Sequence, residues 1–585
     1  MASAMDTHQG STDPAGESAQ DGLHRLEQQR RANRDAIAAL GALPYGTRTD
    51  DLVSLADARR AYDPEADAEH QAQAKAAKDA AKESGAGSAA TAMEIVDRRP
   101  VVRVAGRVVL KREGGKLIWL QLRDHTTGPS SMFESALDPT HPEAGRGPSA
   151  ALVPDMQAAV SLADVTAPGF EIAKNLDLGD VVVVEGPVMR TRTGEITIWA
   201  SELSMGAKSL SPPPEKWAGL TDVEIRYRRR YVDLWANPEA LWVLQMRSKI
   251  VHCIRSFLDS RGFVEVETPV LQQQAGGAAA RPFATHMNAL DVDLYLRIAP
   301  ELFLKRLLVG GMQRVYEISR NFRNEGVDRS HNPEFTSLEV YQAFGNSETM
   351  MELTEGLIRA CAWMAETGSE RGVRGLRSVM GEEAGELMLP FGEMRIDYGS
   401  PFVRVSYADL FQRALGFAIS DHDRALREAK ARGLKTTNDK GEALDAVWVV
   451  NELFEEYAEK TIDPQRPTFV TDYPAALSPL TRPRADDPTI AERWDIFIGG
   501  MEVGPAYTEL NDPDVQAAKF REQLAGIGAD ETTFRNFDAD FIEALKVGMP
   551  PAGGMGMGID RICMLLLNQP SIRDVIAFPM MRPEG

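Results

Sequence analysis

The chain has 585 residues, of which 43% are hydrophobic and 26% charged, and its formal net charge at pH 7 is −21. This composition is typical of a globular protein, and the length predicts about three or four domains. No apolar run reaches the ~20 residues that a membrane-spanning helix needs. Residues 1–20 lack the basic start and apolar stretch of a secretory signal. We therefore expect a cytoplasmic protein with no membrane partner.

The acidic excess counts against a nucleic-acid partner without excluding one, because a local basic patch can act within an acidic whole. The run RYRRRY at residues 226–231 is either such a patch or a basic linker paired with nearby acids. Cys253, Cys361 and Cys563 are far apart, and each stands among apolar residues. They argue against a disulfide framework or a metal cluster and predict buried free thiols.

An N-terminal extension is expected over residues 1–92. Its first 20 or so residues are polar and predict disorder. HRLEQQRRANRDAIAAL, from His24, predicts a charged helix. The Ala/Lys tract at about 68–92 favours a helix but lacks an apolar stripe, so it is interpreted as an exposed extension or a linker.

A small β-barrel of the OB type is predicted over residues 93–210. Short alternating strands occur within 101–124 and again within 178–203, and five such strands suit this barrel. The stretch near 126–167 between them is rich in Pro, Ala and Gly and is interpreted as an insertion in a loop. Residues 211–235, which begin with a proline cluster, are predicted to be a linker.

An α+β domain with an antiparallel sheet is predicted over residues 236–585. It opens with a helix whose apolar residues recur at helical spacing and which ends near Gly262. Further strands pair around predicted hairpins, and the remaining helices are grouped beside them.

The strand EFTSLEVYQ within residues 334–342 carries polar groups at every second position. One face presents Phe335, Ser337, Glu339 and Tyr341. The opposite face is largely apolar and suits a core. The first face therefore lines a polar site, or the strand is a half-buried edge strand with one wet side.

Two further segments carry chemistry that this strand could complete. WDIFIGGMEVGPAYTEL (494–510) predicts a hairpin with carboxylates in apolar strands, and GGMGMGIDR (553–561) is a glycine run that precedes a helix. Glycines let a backbone approach phosphates closely, although this run is neither a P-loop nor a dinucleotide fingerprint and is also compatible with tight packing alone. Arginines and a metal would clamp a triphosphate, and the carboxylates would hold a cation.

These segments resemble a known enzyme class. FRNEGVDRSHNPEF (322–335) resembles motif 2 of the class II aminoacyl-tRNA synthetases, and GMGMGIDR (554–561) resembles their motif 3. FLDSRGFVEVETPVL (257–271) is similar to motif 1, which in that class ends in a proline, here Pro269, at the interface of a homodimer.

Other stretches resemble the lysyl-tRNA synthetases in particular, including residues 279–311 and 467–480. The similarity runs from about Leu23 to the C-terminus, interrupted by the Ala/Lys tract and the barrel insertion. It implies an OB-fold anticodon-binding domain, a class II catalytic domain and a homodimer. It also implies ATP, lysine and tRNA(Lys) as substrates, with Mg2+ as the cofactor.

The resemblance implies a role for each matching residue. The implied ATP ligands are Arg323 on the α-phosphate, Glu325 and Asn332 on the nucleotide, His331 and Arg561 on the outer phosphates, and Phe335 on the adenine. Arg323 would also contact the amino-acid carboxylate, and with Arg561 it would be catalytic. The implied lysine ligands are Gly277 and Glu301 at the α-amino group, and Glu339, Tyr341, Tyr507 and Glu509 at the ε-ammonium group. Asp495 and Glu502 would bind magnesium, and Trp119 and Glu195 would contact the anticodon.

The sequence departs from the family at two of these sites. Pro505 stands where the family usually has an asparagine that touches the lysine side chain, and Asp495 stands where glutamate is usual. One alternative is therefore a paralogue that activates a different amino acid or lysylates another acceptor. A catalytically inactive binding protein is a second alternative, disfavoured by the presence of Arg323, Arg561 and Glu502.

Overall fold

The structure is a computed structural model that forms two compact units, Met1–Leu241 and Trp242–Gly585. It describes residues 19–83, 96–129, 152–212, 220–278, 280–368, 387–437, 441, 443–525 and 537–583. Several predictions fall outside these residues: the disorder at the start of the chain, the last part of the Ala/Lys tract and the central part of the barrel insertion.

The first unit contains a barrel and several helices. Its helices are α1 (Ala19–Ala39), α2 (Leu55–Arg60), α3 (Pro64–Glu83), α4 (Ala167–Lys174), α5 (Val223–Arg228) and α6 (Arg230–Ala236). Its strands are β1 (Val101–Gly114), β2 (Leu117–Arg123), β3 (Thr127–Gly128), β4 (Val153–Pro154), β5 (Met156–Ser161), β6 (Val181–Arg190), β7 (Ile196–Trp199) and β8 (Glu202–Ala207).

The barrel closes because the long strand β1 pairs with β6 through its first half and with β2 through its second half. The order β1-β2-β5-β7-β6 then returns to β1, and β8 adds to β6. Alternate side chains along β2 and β6 are buried, as expected for strands with one face in a core. This closed five-stranded barrel confirms the prediction of an OB-type fold.

The prediction of a loop insertion near 126–167 is wrong in part, because this range includes a strand of the barrel. Strand β5 lies inside it and pairs with both β2 and β7, so this segment is part of the barrel wall. Met156, Ala158 and Val160 are fully buried in the barrel core. Two alanines in six residues weaken the hydrophobic signal of the strand, which is why the segment resembles a loop in sequence.

The N-terminal helices pack on the barrel. Ile37, Leu55 and Ala58 are buried in the same apolar cluster as the barrel strands. The Ala/Lys helix α3 also begins as a packed element, because Asp67 is buried and accepts a hydrogen bond from the backbone of Arg190 in β6 at 2.9 Å. Residues 19–67 therefore contribute more to the barrel unit than an appended extension would.

A buried ionic cluster ties helix α1 to the end of the barrel. The Lys208 ammonium, which is fully buried, lies 2.5 Å from Asp177 and 2.7 Å from Asp180. Asp177 also accepts a hydrogen bond from Asn33 in α1, and Arg30 in α1 donates to the carbonyl of Ser209. Asp180 is fully buried and Asp177 partly exposed, and the burial of Asp180 is tolerated because it is paired with the lysine.

The basic run at 226–231 is paired with acids on its own helices. Arg226 and Arg230 both contact Asp233, at 2.8 Å each, and Arg228 contacts Glu224 at 2.8 Å. This matches the interpretation as an acid-paired segment. The linker predicted at 211–235 is helical where the structure describes its second half, in α5 and α6.

From Pro238 onward the chain forms an α+β unit. Its helices are α7 (Pro238–Asp259), α8 (Glu301–Val309), α9 (Ser347–Thr367), α10 (Tyr407–Leu415), α11 (His422–Ala431), α12 (Ala446–Leu453), α13 (Pro513–Ala525), α14 (Ala539–Gly548), α15 (Ile559–Leu566) and α16 (Ile572–Val575). Its strands are β9 (Val264–Glu265), β10 (Leu271–Gln272), β11 (Ala284–Met287), β12 (Val292–Leu296), β13 (Arg314–Phe322), β14 (Glu334–Ala343), β15 (Met388–Phe391), β16 (Met394–Asp397), β17 (Val403–Ser406), β18 (Thr468–Thr471), β19 (Arg493–Ile498), β20 (Met501–Thr508) and β21 (Ala552–Gly558). Helix α12 continues as a π-helical turn (Phe454–Ala458) and a 3-10 turn (Glu459–Thr461), and a second 3-10 turn covers Ala475–Leu477.

An eight-stranded sheet forms the centre of this unit, in the order β17-β18-β19-β20-β21-β14-β13-β9. Every pairing from β18 to β13 is antiparallel, and only the outermost pairings at each edge are parallel. The predicted hairpin is present, since Gly499 and Gly500 join β19 to β20 with φ of 61° and 76°. Positive φ at both turn residues matches the twist of paired strands and favours glycine.

The main core lies between this sheet and helices α7, α9 and α15. The residues of α7 that recur at helical spacing, Val243, Met246, Ile250, Cys253 and Phe257, are all buried in it. All three cysteines are buried and free, as predicted. Within the described residues, no helix has the length and apolarity that crossing a bilayer requires.

Lys208→Met should lower the free energy of unfolding of the barrel unit by about 3 kcal/mol, because it leaves the buried Asp180 and the partly buried Asp177 without their shared lysine. Urea denaturation followed by tryptophan fluorescence measures the change. Lys174→Met is the matched control, since Lys174 pairs with Glu171 at the surface. Equal stability of the two variants would contradict a structural role for the buried cluster.

Candidate active site

A cavity of about 820 Å³ opens on the antiparallel sheet of the second unit. Most of the residues that the sequence assigned to a site line it: Gly277, Glu301, Arg323, Glu325, His331, Asn332, Phe335, Glu339, Tyr341, Glu502, Tyr507 and Arg561. Asp495 and Glu509 lie behind this wall and are buried. The three segments that the sequence singled out therefore meet at one place.

The polar face of β14 forms one wall. Glu339 is 8% exposed and accepts a hydrogen bond of 3.1 Å from the hydroxyl of Tyr341. Burial, followed by the negative charge of Glu301, raises the pKa of Glu339 to about 8. An ammonium group that enters the cavity would give this buried carboxyl group a charged partner and stabilise its ionised form. This end of the cavity therefore favours a cation.

Arg323, just beyond the end of β13, gives the cavity a positive charge, opposite in sign to that of the carboxylates. Its guanidinium carbon lies 5.1 Å from the centre of the Phe335 ring. Its Nε is buried and has no hydrogen-bond partner within the described part of the protein. Burial lowers the pKa of Arg323, but an arginine stays charged at neutral pH. An unpartnered buried donor of this kind fits a phosphate or carboxylate oxygen.

A second cationic group extends this anion-binding region. Arg561, at the start of α15, donates to the carbonyl of Glu502 at 2.5 Å and lies 3.2 Å from Nε2 of His331. The other ring nitrogen of His331 is 2.8 Å from Asp328. The helix N-terminus adds to the positive potential at this point.

The predicted metal ligands are adjacent but unequal. Asp495 is 4% exposed and is held by both nitrogens of a bidentate ion pair with Arg493, at 2.9 and 2.7 Å. Glu502 is open to the cavity, and desolvation there together with the charge of Asp495 raises its pKa. No group of three metal-ligating side chains occurs among the described residues. Two carboxylates beside cationic side chains are compatible with a divalent metal ion, which the enzyme family that the sequence resembles generally needs.

Glu509 has a partner that the sequence did not indicate. Lys305, in α8, is fully buried, forms an ion pair with Glu509, and lies 2.7 Å from Glu301. Tyr507 donates to the other oxygen of Glu301 at 3.1 Å. In this structure the partner of the Glu509 carboxylate is Lys305. A direct contact between Glu509 and a substrate ammonium group therefore stays a prediction.

The glycine run is a strand, β21, between β14 and β20. Gly554 lies opposite Tyr341 on one side and Tyr507 on the other. A Cβ atom at Gly554 would lie 1.9 Å from Oε1 of Glu509 and 2.6 Å from the Tyr341 ring. At this position the glycine therefore makes room for the two side chains, as the packing interpretation of the run required.

Comparison with known proteins identifies the family. A family model described as class II tRNA synthetases (D, K and N) matches residues 222–582. A lysine–tRNA ligase of Pelotomaculum thermopropionicum is 43% identical over 491 residues, which are 83% of this chain and 87% of that protein. One from Roseiflexus sp. (strain RS-1) is 40% identical over 568 residues, covering 96% and 99%.

The chain belongs to the class II lysine–tRNA ligase family. This confirms the resemblance found in the sequence and makes the protein an aminoacyl-tRNA ligase by family. Members of the family are ATP-dependent and generally need a divalent metal.

Two departures from the family pattern can be located in the structure. Pro505 lines the cavity in β20, where it pairs across the sheet with Asp495. It offers neither a side-chain amide nor a backbone N–H to a ligand. Asp495 is buried in its ion pair with Arg493. Glu502 lines the cavity and is therefore the more accessible of the two carboxylates.

The predicted anticodon residues lie on the barrel of the first unit. Trp119 is half-buried on β2 and meets Trp199 edge to face, with ring centres 6.3 Å apart. Glu195 pairs with Arg59 of α2 at 3.2 Å. An aromatic pair on a barrel surface is a suitable platform for stacking a base of the ligase family's RNA substrate.

Asp560 and Lys305 are the main residues that sequence reasoning missed. Asp560 is buried, accepts a hydrogen bond of 2.7 Å from the backbone of Thr336, and lies 2.5 Å from Arg247. It fixes the start of α15, and with it Arg561, against β14. The signal for Lys305 was its position four residues after Glu301, which places both on one helix face.

Gly554→Ala should lower the thermal unfolding midpoint of the catalytic unit by several degrees, because the added methyl group overlaps Glu509 and Tyr341. Differential scanning calorimetry measures the shift. Gly556→Ala is the matched control in the same strand, since its Cβ would meet only Glu339 at 4.0 Å. Equal midpoints for the two variants would contradict the packing role of Gly554.

Proposed function

We propose that this chain activates lysine with ATP and transfers it to tRNA(Lys). The observation that carries the proposal is the polarity of the cavity, which has cationic groups at one end and buried carboxylates at the other. Lysine and ATP together present that pattern, since the ammonium groups need carboxylates and the phosphates need cations. The family membership supports the same reaction.

In the first step the lysine carboxylate attacks the α-phosphorus of ATP, forming lysyl-adenylate and releasing pyrophosphate. Arg323 is proposed to hold both reacting groups through its guanidinium, whose Nε has no partner in the described protein, and to stabilise the charge that develops between them. Phe335 stacks the adenine, and Glu325 and Asn332 contact the nucleotide. His331 and Arg561 hold the outer phosphates. Positioning and charge stabilisation suffice for this reaction, so no side chain acts as nucleophile.

The amino acid is proposed to lie across β14, β20 and β21. Gly277 and Glu301 hold its α-amino group. The groups proposed to surround its ε-ammonium are Glu339, Tyr341, Tyr507 and Glu509, the last of which is also paired with Lys305. Glu339 loses its proton as the ammonium arrives, because a nearby cation favours the ionised carboxylate.

Mg2+ is the proposed cofactor, held by Glu502 with Asp495. When bound, it neutralises phosphate charge. Asp495 keeps its ion pair with Arg493, which orients it toward Glu502.

In the second step a hydroxyl of the terminal ribose of tRNA attacks the lysyl carbonyl carbon, forming an ester bond, losing the hydroxyl proton and releasing AMP. The barrel is proposed to bind the anticodon through Trp119 and Glu195.

We also propose a homodimer in the cytoplasm. Exposed apolar side chains around Pro269, such as Val264 and Leu271, each about half exposed, support that interface.

A paralogue with altered specificity is a second candidate function, and Pro505 is the observation that favours it. The family's asparagine would offer an amide to the substrate side chain, and proline offers none. A screen of lysine analogues in the assay below separates the candidates, because the paralogue would use another amine better than lysine.

Lysine-dependent exchange of pyrophosphate into ATP should occur without tRNA, since every proposed adenylation group lies in the catalytic unit. Arg323→Ala should lower this exchange by about 10²–10³-fold by removing a preorganised charge donor. Arg320→Ala is the matched control, because Arg320 does not line the cavity and its exposed side chain lies 3.6 Å from Glu334. Absence of exchange with all twenty amino acids would refute the proposed function.

Trp119→Ala should weaken aminoacylation of tRNA about tenfold or more through KM, because base stacking contributes roughly 1–3 kcal/mol. Pyrophosphate exchange should be unchanged. Aminoacylation at varied tRNA concentration measures the effect, with the thermal midpoint of the barrel as the folding control. An equal loss in both assays would make Trp119 a folding residue instead.

A further inference from the structure

A largely buried ion pair joins Arg247 of helix α7 to Asp560 of helix α15. The side chain of Arg247 is 15% exposed and that of Asp560 is 2% exposed, and the guanidinium and the carboxylate lie 2.5 Å apart. Asp560 lines the cavity, whereas Arg247 does not. The pair is therefore part of the cavity wall, and no substrate contact has been assigned to either residue.

Both members of the pair meet strand β14 at the same residue, Thr336. Asp560 accepts a hydrogen bond of 2.7 Å from the backbone N–H of Thr336, and Arg247 donates to the threonine hydroxyl at 3.1 Å. The ladder between β14 and β21 ends at Ser337 and Gly558. The Asp560 carboxylate thus supplies an acceptor just beyond the end of that ladder.

This network holds the immediate neighbours of two proposed ATP ligands. Thr336 follows Phe335, the proposed adenine contact, and Asp560 precedes Arg561, the proposed contact of the outer phosphates. Gly558, the residue before α15, has no side chain that could cap the helix. The place of Arg561 relative to Phe335 therefore depends on the contact between Asp560 and Thr336.

Stability alone is a weak reason for an ion pair in this position. Exchange of a buried pair for apolar residues is often neutral or stabilising, because the cost of desolvation offsets the attraction between the charges. The pair does supply a fixed geometry, since the planar guanidinium of Arg247 contacts Asp560 and Thr336 in set directions. Geometry matters for a nucleotide that is held at two ends, because a misplacement of about 1 Å can cost roughly 10²-fold in rate.

We propose that Arg247 and Asp560 are positioning residues for ATP, which set the distance between the adenine contact at Phe335 and the phosphate contact at Arg561. Both act through these neighbours. This inference rests on the proposed function, since it assumes that ATP is a substrate.

The proposal predicts a selective effect on one of the two substrates of pyrophosphate exchange. Asp560→Asn should raise the KM for ATP about tenfold or more and leave the KM for lysine within about twofold, because the proposed lysine ligands lie at the other end of the cavity. Arg247→Met should do the same. Arg247→Lys keeps the charge but loses the planar fork, so its KM for ATP should lie between those of Arg247→Met and the wild type.

A purely structural pair would give a different pattern. Loss of folded protein lowers the concentration of active enzyme and with it the rate, but leaves both KM values unchanged. Arg255→Met is the matched control on the same helix, because Arg255 pairs with Glu265 at the surface, 3.0 Å away, and both KM values should match the wild type.

If Arg247→Met does not fold, Asp560→Asn and Arg247→Lys decide the question by the same split between the two KM values. An equal rise of the KM for ATP and the KM for lysine would overturn the proposal, since the pair would then support the cavity as a whole. An Asp560→Asn variant with both KM values within about twofold of the wild type would overturn it as well. Absence of exchange by the wild type with all twenty amino acids would instead refute the proposed function.

Discussion

The cavity depends on a strand, β21, that has glycine at alternate positions and two buried methionines between them. β21 runs between β14 and β20, and its glycines leave the space above the sheet open where the neighbouring strands carry tyrosines and carboxylates. A side chain at Gly554 would fill the place of the Glu509 carboxylate. The sheet can therefore hold a polar cavity at its centre, where antiparallel sheets usually bury apolar side chains.

That arrangement concentrates negative charge in a poorly solvated place, and the fold manages the charge locally. Lys305 pairs with Glu301 and Glu509, Arg493 pairs with Asp495, and Asp560 is paired with Arg247. Glu339 has the Tyr341 hydroxyl as its hydrogen-bond partner, and its pKa is raised to about 8. Glu339 is thus the carboxyl group best suited to receive a cation, because its charge is left for a ligand to neutralise.

The sequence predicted the architecture well where side-chain periodicity was strong. The helical spacing in α7 corresponds to its buried face, and the alternation in β14 separates Leu338 and Val340 in the core from the cavity-lining side chains on the other face. Strand β5 escaped because short alanine side chains give little hydrophobic contrast, although burial of the strand is complete at alternate positions. Strand β9 has only two residues, and the chain soon reaches Pro269, which cannot donate to a ladder.

For the site, motifs brought the correct residues to one cavity but did not reveal how they are paired. A lysine within a helix usually extends to solvent, so ELFLKRL gave no sign that Lys305 is buried between two carboxylates. That pairing depends on Glu509, which is 204 positions away in the chain (509 − 305). Contacts between distant segments are set by the tertiary fold, which local patterns do not encode.

The docking of α1 has a consequence for synthesis on the ribosome. Asn33 bonds to Asp177 and Arg30 bonds to Ser209, partners that lie 144 and 179 residues later in the chain. Translation proceeds from the N-terminus, so α1 leaves the exit tunnel long before the residues that accept its hydrogen bonds are synthesised. A charged helix can remain solvated until then. The high charge and low apolarity of this helix thus suit an element that is made first and docked last.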